Sequence, residues 1–134
     1  MYEHDFAVEL AKEAGEIIAE NFRKALSVEW KGKADLVTNV DKYVDGLVRE
    51  RILKSFPSCG IITEEADELN STARKRFIVD PLDGTTNFVK GYPQVAVSIG
   101  FENDGEITFG VVYNPILEEL FIGELGKGAF LNGK

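Results

Sequence analysis

The sequence has a single cysteine, Cys59, so an intrachain disulfide is excluded and no thiol cluster can hold zinc. It has a single histidine, His4, near the amino terminus. There is neither a Ser-His-Asp arrangement nor a Cys-His pair, which argues against a covalent enzyme intermediate. Basic residues are in deficit: 15 Lys+Arg stand against 23 Asp+Glu, a net charge of −8. Such a chain repels nucleic acid and anionic membrane at long range. It would repel a phosphate substrate too, unless metal ions invert the local field. No apolar run approaches the roughly 20 residues that span a membrane. The segment 1–10 carries Glu3, Asp5 and Glu9 where a secretory signal needs a basic start and an apolar run. Together these lacks point to a reducing cytoplasm.

What is present is ordinary globular material. With 44% hydrophobic and 28% charged residues over 134 positions, the chain can bury a core as one domain, 1–134. Phe6, Leu10, Ala14, Ile17, Ile18 and Phe22 recur at steps of three and four, which predicts a helix over residues 5–26. A polar link with Trp30, Lys31, Gly32, Lys33 and Asp35 follows. Thr38 reads as an N-cap with Asp41 three residues on, a weaker form of the capping box. Val40, Tyr43, Val44, Leu47, Val48 and Ile52 give the apolar face of a second helix, ended by Pro57.

From Gly60 onward the pattern changes to short runs. Residues 61–63, 77–80, 96–102, 107–113, 119–123 and 129–131 read as strands, with a polar loop over 64–76. Asp104-Gly105 is a hairpin turn. Two helices followed by strands predict an α+β fold, with helices packed on a mostly antiparallel sheet. Asn132-Gly133 is another favoured hairpin turn, yet only Lys134 follows it. The expectation is a polypeptide cut at a turn inside a longer protein; a frayed terminus is the alternative.

The chemistry concentrates in Asp80-Pro81-Leu82-Asp83-Gly84-Thr85-Thr86-Asn87-Phe88. Pro81 fixes its own φ and biases Asp80 towards an extended conformation, so a turn here can aim both carboxylates at one point. Asp80, the Leu82 carbonyl and Asp83 are the oxygen donors a hard cation such as Mg²⁺ takes. Gly84 lets backbone approach a ligand closely, and the Gly84 and Thr85 amides would cradle a phosphate if a helix starts there. Each residue also has a plainer role. Asp83-Gly84 occurs in many turns, Asp41 can simply cap its helix, and Glu64 and Glu65 can be solvated charges. Thr85 and Thr86 can be ordinary caps.

The stretch Asp80 to Phe88, with its continuation Val89-Lys90-Gly91-Tyr92-Pro93, resembles the first signature of the inositol monophosphatase family. Asp35-Leu36-Val37-Thr38-Asn39-Val40-Asp41 is similar to the family's D-L-V-T-x-x-D. Ile62-Thr63-Glu64-Glu65 is similar to its paired-glutamate segment. Gly110-Val111-Val112-Tyr113 and Gly126-Lys127-Gly128-Ala129-Phe130 resemble its later core strands, so the likeness runs through almost the whole chain.

The resemblance implies the amino-terminal half of a layered α/β sandwich, carrying a metal- and phosphate-binding domain. It implies hydrolysis of a small phosphate monoester by metal-activated water, with Mg²⁺ as cofactor, Mn²⁺ as a substitute and Li⁺ as inhibitor. Inositol monophosphate is the first expectation; fructose 1,6-bisphosphate and 3′,5′-bisphosphorylated nucleotides are alternatives. Glu64, Asp80 and the Leu82 carbonyl would hold one metal, and Asp80 and Asp83 a second; Glu64, with Glu65 nearby, would touch a third. Asp41 and Thr85, with Glu64, would serve the attacking water. Asp83 and the Gly84 and Thr85 amides would hold phosphate, with Thr86 and either Lys31 or Lys33 close by.

Members of the family are longer than this chain. Their second half carries a Trp-Asp-x-x-Ala-Gly motif whose aspartate completes the second metal site, and Trp30, the only tryptophan here, lies upstream. The expectations are therefore a truncated half-site, inactive or weak alone, and a homodimer for the complete protein. A non-catalytic binding module on the same fold is the competing expectation.

Overall fold

The computed structural model describes residues 2–24, 28–30 and 36–134. Helix α1 (Glu3–Asn21) buries Phe6, Leu10, Ala14 and Ile18 along one stripe, as the spacing predicts, with Ala7 and Ala11 beside them. It stops at Asn21, short of the expected residue 26. The Asn21 side-chain amide donates to the Ile17 carbonyl at 2.8 Å, and Phe22 has turned extended with ψ 130°. Where the sequence predicts only a polar link, two short strands, β1 (Val28–Trp30) and β2 (Leu36–Thr38), pair antiparallel. At three residues each they are too short for a periodicity to reveal.

Helix α2 (Asn39–Ser55) starts from a complete capping box. The Thr38 hydroxyl accepts from the Val40 and Asp41 amides, and the Asp41 carboxylate accepts from the Thr38 amide. Asp41 thus fills the place that Glu or Gln usually takes in this motif. The helix ends where the Phe56 amide reaches back to the Ile52 carbonyl at 2.7 Å, just before Pro57.

Six strands form one sheet in the order β3 (Gly60–Thr63), β4 (Lys75–Asp83), β5 (Ala96–Asn103), β6 (Glu106–Asn114), β7 (Glu119–Glu124) and β8 (Gly128–Leu131). The pair β3–β4 is parallel and all the others are antiparallel. Lys75 and Arg76, assigned to the loop by sequence, belong to β4, where Arg76 stands opposite Glu102 and binds it. Both expected hairpin turns form. Asp104 and Gly105 have φ of 52° and 83°, and Asn132 and Gly133 have 49° and 83°, the all-positive geometry such turns need.

The helices α1 and α2 pack on one face of the sheet. There Phe77, Val79, Val97, Ile99, Phe101, Phe109 and Val111 join them in a single buried cluster. Phe6, Phe56, Phe77 and Phe101 meet at centroid distances of 5.0 to 5.9 Å, a seam tying both helices to the strands. The other face holds a row of small residues in register, Gly100, Gly110, Gly123 and Ala129. Beside it runs an exposed apolar row, Val112, Phe121 and Leu131. The predicted α+β architecture, two helices on a mostly antiparallel sheet, is the one observed.

Candidate metal and phosphate site

Strand β4 delivers the aspartates through a break in its own regularity. Asp80 stands opposite Ser98 and Asp83 opposite Ala96, so β4 uses three steps where β5 uses two. In an unbroken strand, residues three apart point to opposite faces. The extra residue of this bulge brings Asp80 and Asp83 onto the same face. Pro81, which has no amide hydrogen to give a ladder, sits inside the bulge, where it costs least. Leu82 is buried by its side chain while its carbonyl oxygen lies 3.3 Å from the Thr85 hydroxyl oxygen.

The parallel partner β3 supplies the next carboxylate. Thr63 is in register with Val79, so Glu64 leaves β3 at the level of Asp80. The electrostatics register this closeness. Burial, then the charges of Glu64 and Asp83, push the Asp80 carboxyl up to about 6, against a hydrogen bond from the Leu82 backbone; Glu65 adds a smaller push. A divalent cation would relieve that crowding, and carboxylate and carbonyl oxygens are the donors Mg²⁺ accepts. Among the described residues, however, no three His, Cys, Asp or Glu side chains are gathered closely enough to hold a metal. The oxygen donors fit the ion in kind.

Asp41 lies 1% exposed at the start of α2 and uses both oxygens. Oδ2 takes the Thr38 amide at 2.9 Å and the Thr38 hydroxyl; Oδ1 takes the Thr85 hydroxyl at 2.8 Å. The plain capping role and the pairing with Thr85 therefore coexist in one side chain. Thr85 opens the short helix α3 (Thr85–Lys90) but does not cap it: the N-cap is Gly84, at φ 90°, with no side-chain cap bond. Thr86 is exposed on the same helix. Only glycine fits position 84, because a Cβ there would lie 2.6 Å from the Gln94 carbonyl oxygen. Lys31 and Lys33 lie outside the described residues.

Two further groups lie outside this arrangement. Cys59 is buried, and burial pushes its thiol pKa up, the opposite of an activated nucleophile. The basic run Arg74-Lys75-Arg76 is already paired, with Asp104, Glu3, Glu68 and Glu102. Sequence reasoning missed a buried group on α2: Asp45 accepts from Arg49 Nε at 3.1 Å, and Arg49 Nη2 donates to Thr63 Oγ1 at 2.7 Å. The available signal was an opposite-charge pair at i, i+4, a spacing more often found on solvated helix faces.

The structure is thus an α+β protein in which two adjacent parallel strands end in carboxylates, near the hydrogen-bonded Thr85–Asp41 pair. The chain belongs to the inositol monophosphatase family, whose model matches residues 3–134. It is 53% identical over 134 residues to inositol monophosphatase 3 of Solanum lycopersicum, covering 97% of this chain and 50% of that protein. It is 46% identical over 132 residues to Nus factor SuhB of Escherichia coli K12, covering 96% and 49%. The solved structure of the extragenic suppressor protein suhB from Bartonella henselae superposes with a TM-score of 0.93 at 41% identity, covering 98% of this chain and 52% of that one. An IMPase/NADP phosphatase structure described with Mg²⁺ and phosphate superposes at 0.81 with 28% identity, covering 92% and 48%. The chain thus spans about half the length of the curated relatives it matches.

Proposed function

We propose that this chain is the metal- and phosphate-binding portion of a Mg²⁺-dependent hydrolase of small phosphate monoesters, with inositol monophosphate the first substrate to try. The observation that carries the reading is the Thr85 hydroxyl bound to the buried Asp41 carboxylate at 2.8 Å, next to the bulge that turns Asp80 and Asp83 to one face. Glu64, Asp80, the Leu82 carbonyl and Asp83 would hold the cation, with Glu65 at the margin. Mn²⁺ would replace Mg²⁺, and Li⁺ would inhibit. The bound cation supplies charge neutralisation and a lowered pKa for water.

The chain's own groups do the positioning. Because Thr85 donates its proton to Asp41 Oδ1, its oxygen lone pairs are left to accept from a water. A proton leaving that water can pass to the Thr85 oxygen while the Thr85 proton moves to Asp41 Oδ1. Asp41 is held for this by the two Thr38 contacts on its other oxygen. The Gly84 and Thr85 amides, with Thr86 nearby, would receive the phosphate oxygens. Positioning and electrostatics of this kind carry most of phosphoryl transfer.

The part that relatives have beyond this length would complete the second cation site and the pocket for the alcohol, so the chain alone is weak or inactive. Whether fructose 1,6-bisphosphate or a 3′,5′-bisphosphorylated nucleotide is preferred would be decided there, and the complete protein would act as a cytoplasmic homodimer. A second reading, a non-catalytic binding module, draws on the relative named Nus factor SuhB.

Calorimetric titration with Mn²⁺, beside Asp80→Asn, tests the primary reading. Saturable binding in the wild type that the substitution removes is the expected result. A folded wild type that takes up no Mn²⁺ would falsify the metal site and favour the binding module.

A further inference from the structure

Helix α2 touches the candidate site twice, and only the contact through Asp41 belongs to the reading above. Two turns further on, the Arg49 side chain is 12% exposed and that of Asp45 is 6% exposed. Asp45 Oδ2 accepts from Arg49 Nε at 3.1 Å, while Asp45 Oδ1 is buried with no hydrogen-bond partner. A half-satisfied buried carboxylate is costly to keep, and a bland helix-surface pair would not incur that cost. What the pair achieves is to fix the guanidinium plane. Arg49 Nη2 then reaches across to Thr63 Oγ1 at 2.7 Å. Thr63 is the last residue of β3, in register with Val79, and the next residues on the two parallel strands are Glu64 and Asp80.

We infer that Arg49 is a positioning residue: anchored by Asp45, it clamps the end of β3 through Thr63 and so holds Glu64 beside Asp80. The inference rests on the metal-site reading above. β3 is only four residues long and gives way to a loop directly after Thr63, so a displacement of Thr63 would carry Glu64 with it. The helix that presents Asp41 to Thr85 thereby also sets the spacing of two proposed ligands. Groups that orient a ligand from behind typically change metal affinity by roughly 10-fold to 100-fold when removed.

The test is Mn²⁺ affinity of this chain by calorimetry, with the electron paramagnetic resonance spectrum of bound Mn²⁺ and a thermal melt on each variant. Arg49→Met is expected to weaken Mn²⁺ binding roughly tenfold. Arg49→Lys should recover part of the loss, because one donor can still reach Thr63. Thr63→Val leaves the Asp45–Arg49 pair intact and deletes only the acceptor; it should reproduce the Arg49→Met loss and decides the matter if Arg49→Met does not fold. A lower melting temperature with wild-type Mn²⁺ affinity in the folded variants overturns the inference and leaves the metal site standing. Absence of Mn²⁺ binding in the wild type itself, equal to Asp80→Asn, overturns both.

Discussion

Asp80 is a half-buried carboxylate that faces the charges of Glu64 and Asp83, and its pKa of about 6 is the energetic mark of that position. A carboxyl raised in the folded state binds more protons there than in the unfolded chain. Stability of the metal-free protein therefore falls as pH rises from about 4, the unfolded value, through about 6, and stays lower above it. Discounted for solvent screening, the penalty at neutral pH is about 1 kcal/mol. Asp80→Asn should accordingly raise the melting temperature of the metal-free chain by roughly 3 °C at pH 7. The advantage should vanish below about pH 4, where both proteins are neutral at this position. With saturating Mn²⁺ the proposed metal site predicts the reverse order, because the neutral amide oxygen of Asn is a weaker donor to a hard cation than the carboxylate. Parallel melts across pH, with and without the ion, read all three; an Asp80→Asn variant less stable at pH 7 without metal would show that the carboxylate has a structural partner.

Among the elements, α3 is placed by a turn that depends on Gly84. Its N-cap, Gly84, has φ 90°, and the space a Cβ needs is taken by the Gln94 carbonyl 2.6 Å away. Gly84→Ala forces either the backbone or the Gln94 segment to move, at a cost of roughly 2 kcal/mol. The consequence should go beyond stability. Thr85 is the next residue, so its hydroxyl would leave Asp41, and a double variant with Thr85→Ala should lose little more Mn²⁺-dependent turnover in the complete protein than either alone. Additive losses would separate the turn from the Thr–Asp pair.

The same elements show what sequence conveys and what it hides. The stripe of α1, the cap at Thr38 and both Asx-Gly turns are local, so spacing and residue type reveal them. The nonapeptide around Asp83 was legible as a turn rich in oxygen donors, which the structure places at the end of β4. The means by which Asp80 and Asp83 come to one face was not: a bulge is defined by what stands opposite, here Ser98 and Ala96. Arg49 was hidden for a similar reason. Its charge partner is four residues away on its own helix, but its working contact, Thr63, is on another element. The early end of α1 depends on the Asn21 side chain folding back onto Ile17, which apolar periodicity does not sense.

At the scale of the molecule, the two faces of the sheet are unequal. One is covered by α1 and α2 over β3 to β6; on the other, Val112, Phe121 and Leu131 form a continuous cross-strand row, each 38% to 42% exposed. The neighbouring row, Gly100, Gly110, Gly123 and Ala129, has almost no side chain to keep another surface away. Asp80 and Asp83 lie at one end of this same face, since Ser98 and Ala96, their partners on β5, alternate with the core residues Val97 and Ile99. A contiguous apolar surface of this kind promotes association in water. The isolated chain should therefore show a sedimentation coefficient that rises with concentration, despite its net charge of −8. Phe121→Lys puts a charge at the centre of the exposed row without touching the buried cluster, and should restore a concentration-independent monomer with an unchanged thermal melt. If the wild type already sediments as a monomer at all concentrations, the apolar row is too small or too shallow to drive association. If Phe121→Lys associates as strongly as the wild type, the contact lies elsewhere, and the rim around Phe130 on the helix-bearing side becomes the surface to substitute next.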